Sequence, residues 1–181
     1  MSRLKEQTIR SETIFEGRVI RVQLDEVRLP NGKTSTRELV KHTGAVSVMA
    51  VTKEGKMVFV RQYRKPLDKE ILEIPAGKLE PGEDPKECAA RELEEETGYR
   101  AQNLKPIVSF YTSPGFADEL LHLYEATGLS EGEANPDSDE FVERVELTLE
   151  EAFQAMESGE IADAKTVAAL YIWHNRVLTE K

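Results

Sequence analysis

Residues Gly77 to Tyr99 read GKLEPGEDPKECAARELEEETGY, and within them Glu92, Glu94, Glu95 and Glu96 crowd into five positions. The helix signals around these acids are plain. Asp84 is a good N-cap, Pro85 suits the first helical position, and Glu87, three residues after Asp84, completes a capping-box pattern. Gly98 is placed to end the helix in the left-handed conformation. The spacing predicts a helix from about Pro85 to Thr97. On it Glu92 and Glu96 stand at i and i+4 on one face, Glu95 flanks that face, and Glu94 points away to solvent. Like-charge i,i+4 pairs cost a few tenths of a kcal/mol on an open helix, and the last turns of a helix favour cations. A divalent cation between the carboxylates turns that repulsion into coordination, because hard cations such as Mg2+ prefer carboxylate oxygens. The competing account is a solvated acidic face. A loop that starts at Gly77 and closes at Glu83, feeding a carboxylate-rich helix with Arg91 beside Glu92, favours a metal–phosphate cradle instead.

Outside this stretch, the bulk properties set bounds. The chain has 181 residues, enough for one domain with a sizeable core and a small appendage. Hydrophobic residues make up 39%, which excludes a disordered acidic tail. No apolar run approaches the ~20 residues that span a bilayer, and MSRLKEQTIRSE lacks the apolar core of a signal peptide. The single cysteine, Cys88, permits no internal disulfide and reads as packing. A cytoplasmic protein without membrane association is therefore expected. The formal net charge of -10 argues against broad binding of nucleic acid. It leaves room for a small anionic ligand where a metal or a few arginines reverse the local field.

From about Thr13 to Val40 the chain reads as strands on either side of Pro30-Asn31-Gly32, a hairpin signal. This arm has few large apolar residues, so it is expected to pack on something else, the rest of the chain or a second subunit. From Gly44, AVSVMAVT and MVFVRQY read as central strands joined at Lys53-Glu54-Gly55-Lys56. EILEIPAGKLEPGE reads as strand and loop, PIVSFY and ELLHLYEA as strands split by TSPGFAD, and FVERVELT as a last strand. LEEAFQAMES and AKTVAALYIWHNRVL carry helical periodicity, with Met156 and Trp173 as core positions. The order implies an α/β (α+β) fold with helices covering a mixed sheet.

The opening stretch resembles the Nudix box: Gly, five residues, Glu, seven residues, then Arg-Glu-apolar-any-Glu-Glu-any-Gly-apolar. Gly77, Glu83, Arg91, Glu92, Leu93, Glu95, Glu96 and Gly98 supply it, with Tyr99 standing where an aliphatic residue is usual. The resemblance implies a Nudix α/β/α sandwich with a mixed β-sheet, and metal-dependent hydrolysis of a nucleoside diphosphate linked to another group. Pro114, sixteen residues after Gly98, and the surrounding SPGFADE resemble the ADP-ribose pyrophosphatase branch. Without the box, Pro114-Gly115 is simply a turn.

Carried over by position, the resemblance makes Glu92, Glu95, Glu96 and the Ala76 carbonyl the metal ligands. The metal is Mg2+, with Mn2+ or another divalent ion as the alternative. Glu83 and Arg91 brace loop and helix. The catalytic candidates are Glu140, as general base in the DSDEF loop, and Glu95; Asp137 and Asp139 are nearby alternatives to Glu140. Arg64 and Arg37 match positions that contact diphosphate or terminal ribose, Glu119 one that recognises ribose or phosphate. Arg18 and Phe15 lie where a partner's arm approaches the adenine. For each of these a surface salt bridge is the competing account. The resemblance further implies a homodimer that exchanges an N-terminal antiparallel β arm (residues 1–42) between Nudix domains (43–181). ADP-ribose is the expected substrate, with AMP and ribose 5-phosphate as products. The alternatives are another nucleoside diphosphate derivative, such as a sugar nucleotide or dinucleoside polyphosphate, and a non-catalytic nucleotide sensor.

Overall fold

The computed structural model describes residues 3–135 and 140–179. By its internal contacts the chain divides into two units, Met1–Gly44 with Phe110–Leu120, and Ala45–Ser109 with Leu121–Lys181.

The first unit is built on an antiparallel sheet of β1 (Gln7–Glu16), β2 (Ile20–Arg28) and β3 (Thr34–His42), in that order. The β2–β3 hairpin closes through Leu29 N–H to Lys33 O at 2.8 Å and Gly32 N–H to Leu29 O at 2.9 Å. The loop is thus Pro30, Asn31 and Gly32, and of the three only Gly32 takes a positive φ, +84°. Pro30 pre-sets the first turn position, and the Asn31 side chain accepts the Lys33 N–H at 3.0 Å. Asn31 therefore serves as a side-chain acceptor and has no need of the left-handed region. β1 begins at Gln7, earlier than the pattern shows. All ten of its residues are exposed, so neither face carries the apolar alternation that marks a half-buried strand. In the same unit, Phe116 and Ala117 donate their N–H groups to Ser113 O, so Pro114-Gly115 does form a turn.

The second unit holds an antiparallel sheet, β10–β5–β6, and a mixed sheet, β7–β4–β9–β8. Their strands are β4 (Ala45–Ala50), β5 (Met57–Arg64), β6 (Lys69–Glu73), β7 (Ala76–Lys78), β8 (Tyr99–Tyr111), β9 (Leu120–Glu131) and β10 (Val142–Leu147). β4 is buried at all six positions and runs parallel to β9 and antiparallel to β7. A strand enclosed on both faces reads as an unbroken apolar run, which is why AVSVMA was legible. The β4–β5 turn repeats the first hairpin's solution: Gly55, at φ +76°, donates to Thr52 O at 3.0 Å.

Helix α1 (Pro85–Thr97) packs Cys88, Ala89 and Leu93 against Val46, Val48, Ala50 and Tyr124. Its N-cap differs in one detail from the capping box. The Asp84 carboxylate takes the Lys86 N–H at 2.8 Å, one position short of Glu87. A reciprocal box forms instead at α2 (Leu149–Glu157), where Thr148 and Glu151 exchange hydrogen bonds. Helix α3 (Ala164–Thr179) buries Thr166, Ala169, Leu170 and Trp173. Mixed sheets with helices on them bear out the expected fold class. No helix of the described residues is long and apolar enough to cross a membrane.

Candidate active site

The site is built where β7 meets α1. Gly77 in β7 faces the Glu92 carboxylate so closely that a Cβ there would lie 1.8 Å from its Cδ and 2.0 Å from Oε1. That is the physical reason for the glycine opening the motif: its missing side chain is the space that Glu92 fills. One turn further along α1, Glu96 is only 4% exposed, and its Oε2 accepts the Ala76 N–H at 2.9 Å. Gly77 and Ala76 are thus each matched to one of the paired carboxylates.

Arg91 ties the cluster together. Its Nε and Nη2 grip both oxygens of Glu83 at 3.0 and 3.1 Å, while Nη1 donates to Glu92 Oε1 at 2.8 Å and to Glu95 Oε2 at 2.9 Å. Glu83 also accepts the Glu80 N–H at 3.0 Å, closing the loop onto the helix. The guanidinium holds the Glu83 carboxyl down at about 2. The crowded glutamates are therefore already partly compensated from within the motif. Glu94 is not left to solvent as its helical position implies: Arg100 Nε bonds it at 2.7 Å, and its pKa is lowered as a result. The helix has no basic residue in its last turn, and the fold supplies one. Arg144 of β10 donates to Thr97 O at 2.9 Å and lies 4.5 Å over the Tyr99 ring. Tyr99, the departure from the motif, is thereby the platform for the cation that caps α1.

Burial pushes the Glu96 carboxyl up to about 8, helped by the charges of Glu92 and Glu140 and opposed by the Ala76 N–H and Arg64. Glu92 is likewise raised, first by burial, with Arg91 opposing and Glu95 and Glu140 reinforcing. Glu140 therefore lies within electrostatic reach of both paired acids, though 44 residues separate it from Glu96. Asp137 and Asp139 fall outside the described residues.

Of the residues expected to touch substrate, Arg64 shares the second unit with the carboxylates. It is held by Glu73, through Nη2 to Oε2 at 2.9 Å, and acts electrostatically on Glu96. Glu73 escaped the sequence reading, although it lies in EIPAG just before the box. Arg18, Arg37 and Glu119 belong to the first unit. Arg18 is exposed in the β1–β2 turn. Arg37 grips Glu6 with Nε at 3.0 Å to Oε2, and Glu119 accepts the Thr112 hydroxyl. Arg37 and Glu119 thus each have a partner within that unit, and for Arg37 it is the ion pair the salt-bridge account anticipates.

A family model for the NUDIX domain matches residues 41–170, preceded by one for the nucleoside diphosphate sugar hydrolase N-terminal domain at residues 6–40. The chain belongs to the Nudix family. Two relatives match this Nudix protein over nearly its whole length. The methanol dehydrogenase activator of Bacillus methanolicus is 59% identical over 168 residues, covering 92% of this chain and 91% of that protein. The ADP-ribose pyrophosphatase of Bacillus subtilis (strain 168) is 57% identical over 172 residues, 94% of this chain and 93% of the relative. A crystal structure of an ADP compounds hydrolase aligns with a TM-score of 0.86 at 22% identity, covering 99% of this chain and 98% of that one, a likeness of fold. The resemblance to the Nudix family and its ADP-ribose pyrophosphatase branch is borne out.

The Nudix helix offers a donor set suited to a hard divalent cation. Glu92, Glu95 and Glu96 make their hydrogen bonds to Arg91 and Ala76 through one oxygen each, leaving the other oxygen for a metal. Among the described residues no three such groups are gathered tightly enough to form a cage by themselves.

Proposed function

We propose that this Nudix enzyme hydrolyses ADP-ribose to AMP and ribose 5-phosphate, using Mg2+ held by Glu92, Glu95, Glu96 and the Ala76 carbonyl. The observation that carries the reading is the pairing of Gly77 with Glu92 and of Ala76 with Glu96. A glycine that must lack a Cβ and a buried carboxylate on a backbone N–H make sense as a preorganised ligand pair, and they weaken a helix judged on stability alone. The 57% identity to an ADP-ribose pyrophosphatase supports the substrate.

Held by Glu92, Glu95, Glu96 and the Ala76 carbonyl, a divalent cation would supply charge neutralisation for the diphosphate and a more acidic water. The chain's own residues do the rest. Arg91 fixes the Glu92 and Glu95 carboxylates, and Glu83 fixes Arg91. Glu140 is the general base, a reading supported by its charge acting on both Glu92 and Glu96; Glu95, the most exposed of the three ligand acids, is the alternative. Arg64 presents its guanidinium to the diphosphate. Arg18, Arg37 and Glu119 complete recognition in a homodimer, a reading supported by the exposure of every residue of β1. The division into an arm of residues 1–42 and a domain of residues 43–181 is supported by the family boundary at residues 40 and 41. A cytoplasmic enzyme fits this substrate.

Incubating the protein with ADP-ribose, with and without Mg2+, and identifying the phosphate-containing products tests the reading. AMP and ribose 5-phosphate formed only with the metal support it; no turnover refutes it. The same assay run on sugar nucleotides and dinucleoside polyphosphates separates the alternative suggested by the N-terminal family match. The 59% identity to a methanol dehydrogenase activator favours a second reading, activation of such a dehydrogenase. Measuring a methanol dehydrogenase's rate with and without this chain tests it.

A further inference from the structure

Arg64, Glu73, Asp163, Lys165 and Thr166 form a polar cluster beside the carboxylates. Glu73 is 2% exposed, yet it meets two cations: Arg64 by two hydrogen bonds, and the Lys165 ammonium on Oε2. Lys165, its side chain 11% exposed, also donates to Asp163 Oδ1 at 2.9 Å. Asp163 precedes α3 and accepts the Thr166 N–H at 3.1 Å. The Thr166 hydroxyl, fully buried, accepts the Ile74 N–H at 3.0 Å. Two residues on, Ala76 N–H reaches Glu96. The segment from Glu73 to Ala76 is therefore pinned by the start of α3 at one end and by the paired acids at the other.

Such a cluster is a poor way to gain stability. Removing these charges from water costs several kcal/mol per ion, and apolar groups of the same volume serve a core as well or better. The Asp163 Oδ2 oxygen is moreover buried without a hydrogen-bond partner among the described residues. What the arrangement does supply is a shared anion. Glu73 bonds both Lys165 and Arg64, so it fixes the direction of the guanidinium relative to the start of α3. Two of the five guanidinium N–H donors are used on Glu73, and the side chain remains 41% exposed. Three donors are left for an anion.

We propose that Lys165 and Glu73 are positioning residues for substrate binding, through which the start of α3 aims Arg64 at the diphosphate. The inference rests on the reading of Arg64 as a diphosphate contact. The test is steady-state kinetics with ADP-ribose and Mg2+ on Lys165→Met, Lys165→Arg, Arg64→Ala and the Arg64→Ala/Lys165→Met pair, with Tm measured for each. Lys165→Met is expected to raise KM by about 10-fold or more with kcat little changed, the mark of lost binding as opposed to lost folded enzyme. Lys165→Arg is expected to restore most of it, and the double variant to be no worse than Arg64→Ala alone, because both changes disable one device. Effects that multiply in the double variant overturn the inference and leave Arg64's role standing. A normal KM in Arg64→Ala refutes the Arg64 reading itself and takes the inference with it. A normal KM in Lys165→Met, or a loss confined to kcat, also overturns it. Should Lys165→Met not fold, Glu73→Gln/Lys165→Met removes the charge imbalance, and the same KM rise is expected from it; a normal KM there overturns the inference.

Discussion

Replacing Gly77 with alanine separates the site from the fold. The new Cβ would sit 1.8 Å from Glu92 Cδ, whereas ordinary contact begins at 3.4 Å. No positive φ at Gly77 forbids alanine, so the backbone accepts it and the carboxylate must give way. Swinging Glu92 aside breaks its 2.8 Å bond to Arg91, a loss of about 0.5–1 kcal/mol for a pair partly open to water. Alanine returns a similar amount, about 0.4–1 kcal/mol, by restricting the unfolded chain. The two cancel, and Tm should stay within about 3 °C of the parent. Catalysis has no such compensation. A displacement of more than 1 Å in a group that orients the reacting centre costs about 100-fold in rate. Product formation from ADP-ribose should therefore fall by about that factor in a folded protein, and the rise in Tm expected of the parent on adding Mg2+ should be lost. A Gly77→Ala protein with normal turnover would show that the position of Glu92 is irrelevant. One that unfolds would show that the collision is not relieved by the side chain.

Three further outcomes can be measured. Glu96 should make the metal-free protein less stable as pH rises: its carboxyl is near 4.5 when unfolded and about 8 when folded, so the folded state binds the extra proton between those values. Urea unfolding should show stability declining across that window in the parent and flattening in Glu96→Gln, and parallel slopes would contradict the burial argument. Glu94→Gln, which loses only an exposed partner in Arg100, should keep kcat/KM within about twofold, while Glu92→Gln loses orders of magnitude; equal losses would refute the division of roles. Thr148→Ala should lower Tm by about 2–4 °C, from the loss of about 1 kcal/mol at the α2 N-cap, with kcat/KM unchanged; an unchanged Tm would mean the cap contributes nothing.

The sequence by itself determined the helix that carries the glutamates, both its ends, and the face shared by Glu92 and Glu96. It also determined the two hairpin turns and the buried run of β4. All of these depend on rules acting within a few residues: cap chemistry, the φ range of glycine and proline, and the period of the backbone. The spacing of the box was legible for the same reason, since a helix start and stop bracket it. β1 was only half legible because a strand exposed at every residue leaves no alternation to read.

Tertiary structure alone decided which charges are compensated. Arg144 reaches the end of α1 across 47 residues, and Lys165 reaches Glu73 across 92. Neither pair leaves a periodic trace in the sequence. Glu96 and Glu94 are the same residue type two positions apart, yet one is buried on a backbone N–H with its carboxyl raised, and the other is paired at the surface with its carboxyl lowered. Residue type fixes which groups are able to ionise. How strongly each does so is set by the water removed from it and by the charges brought near it, and only the folded chain determines both.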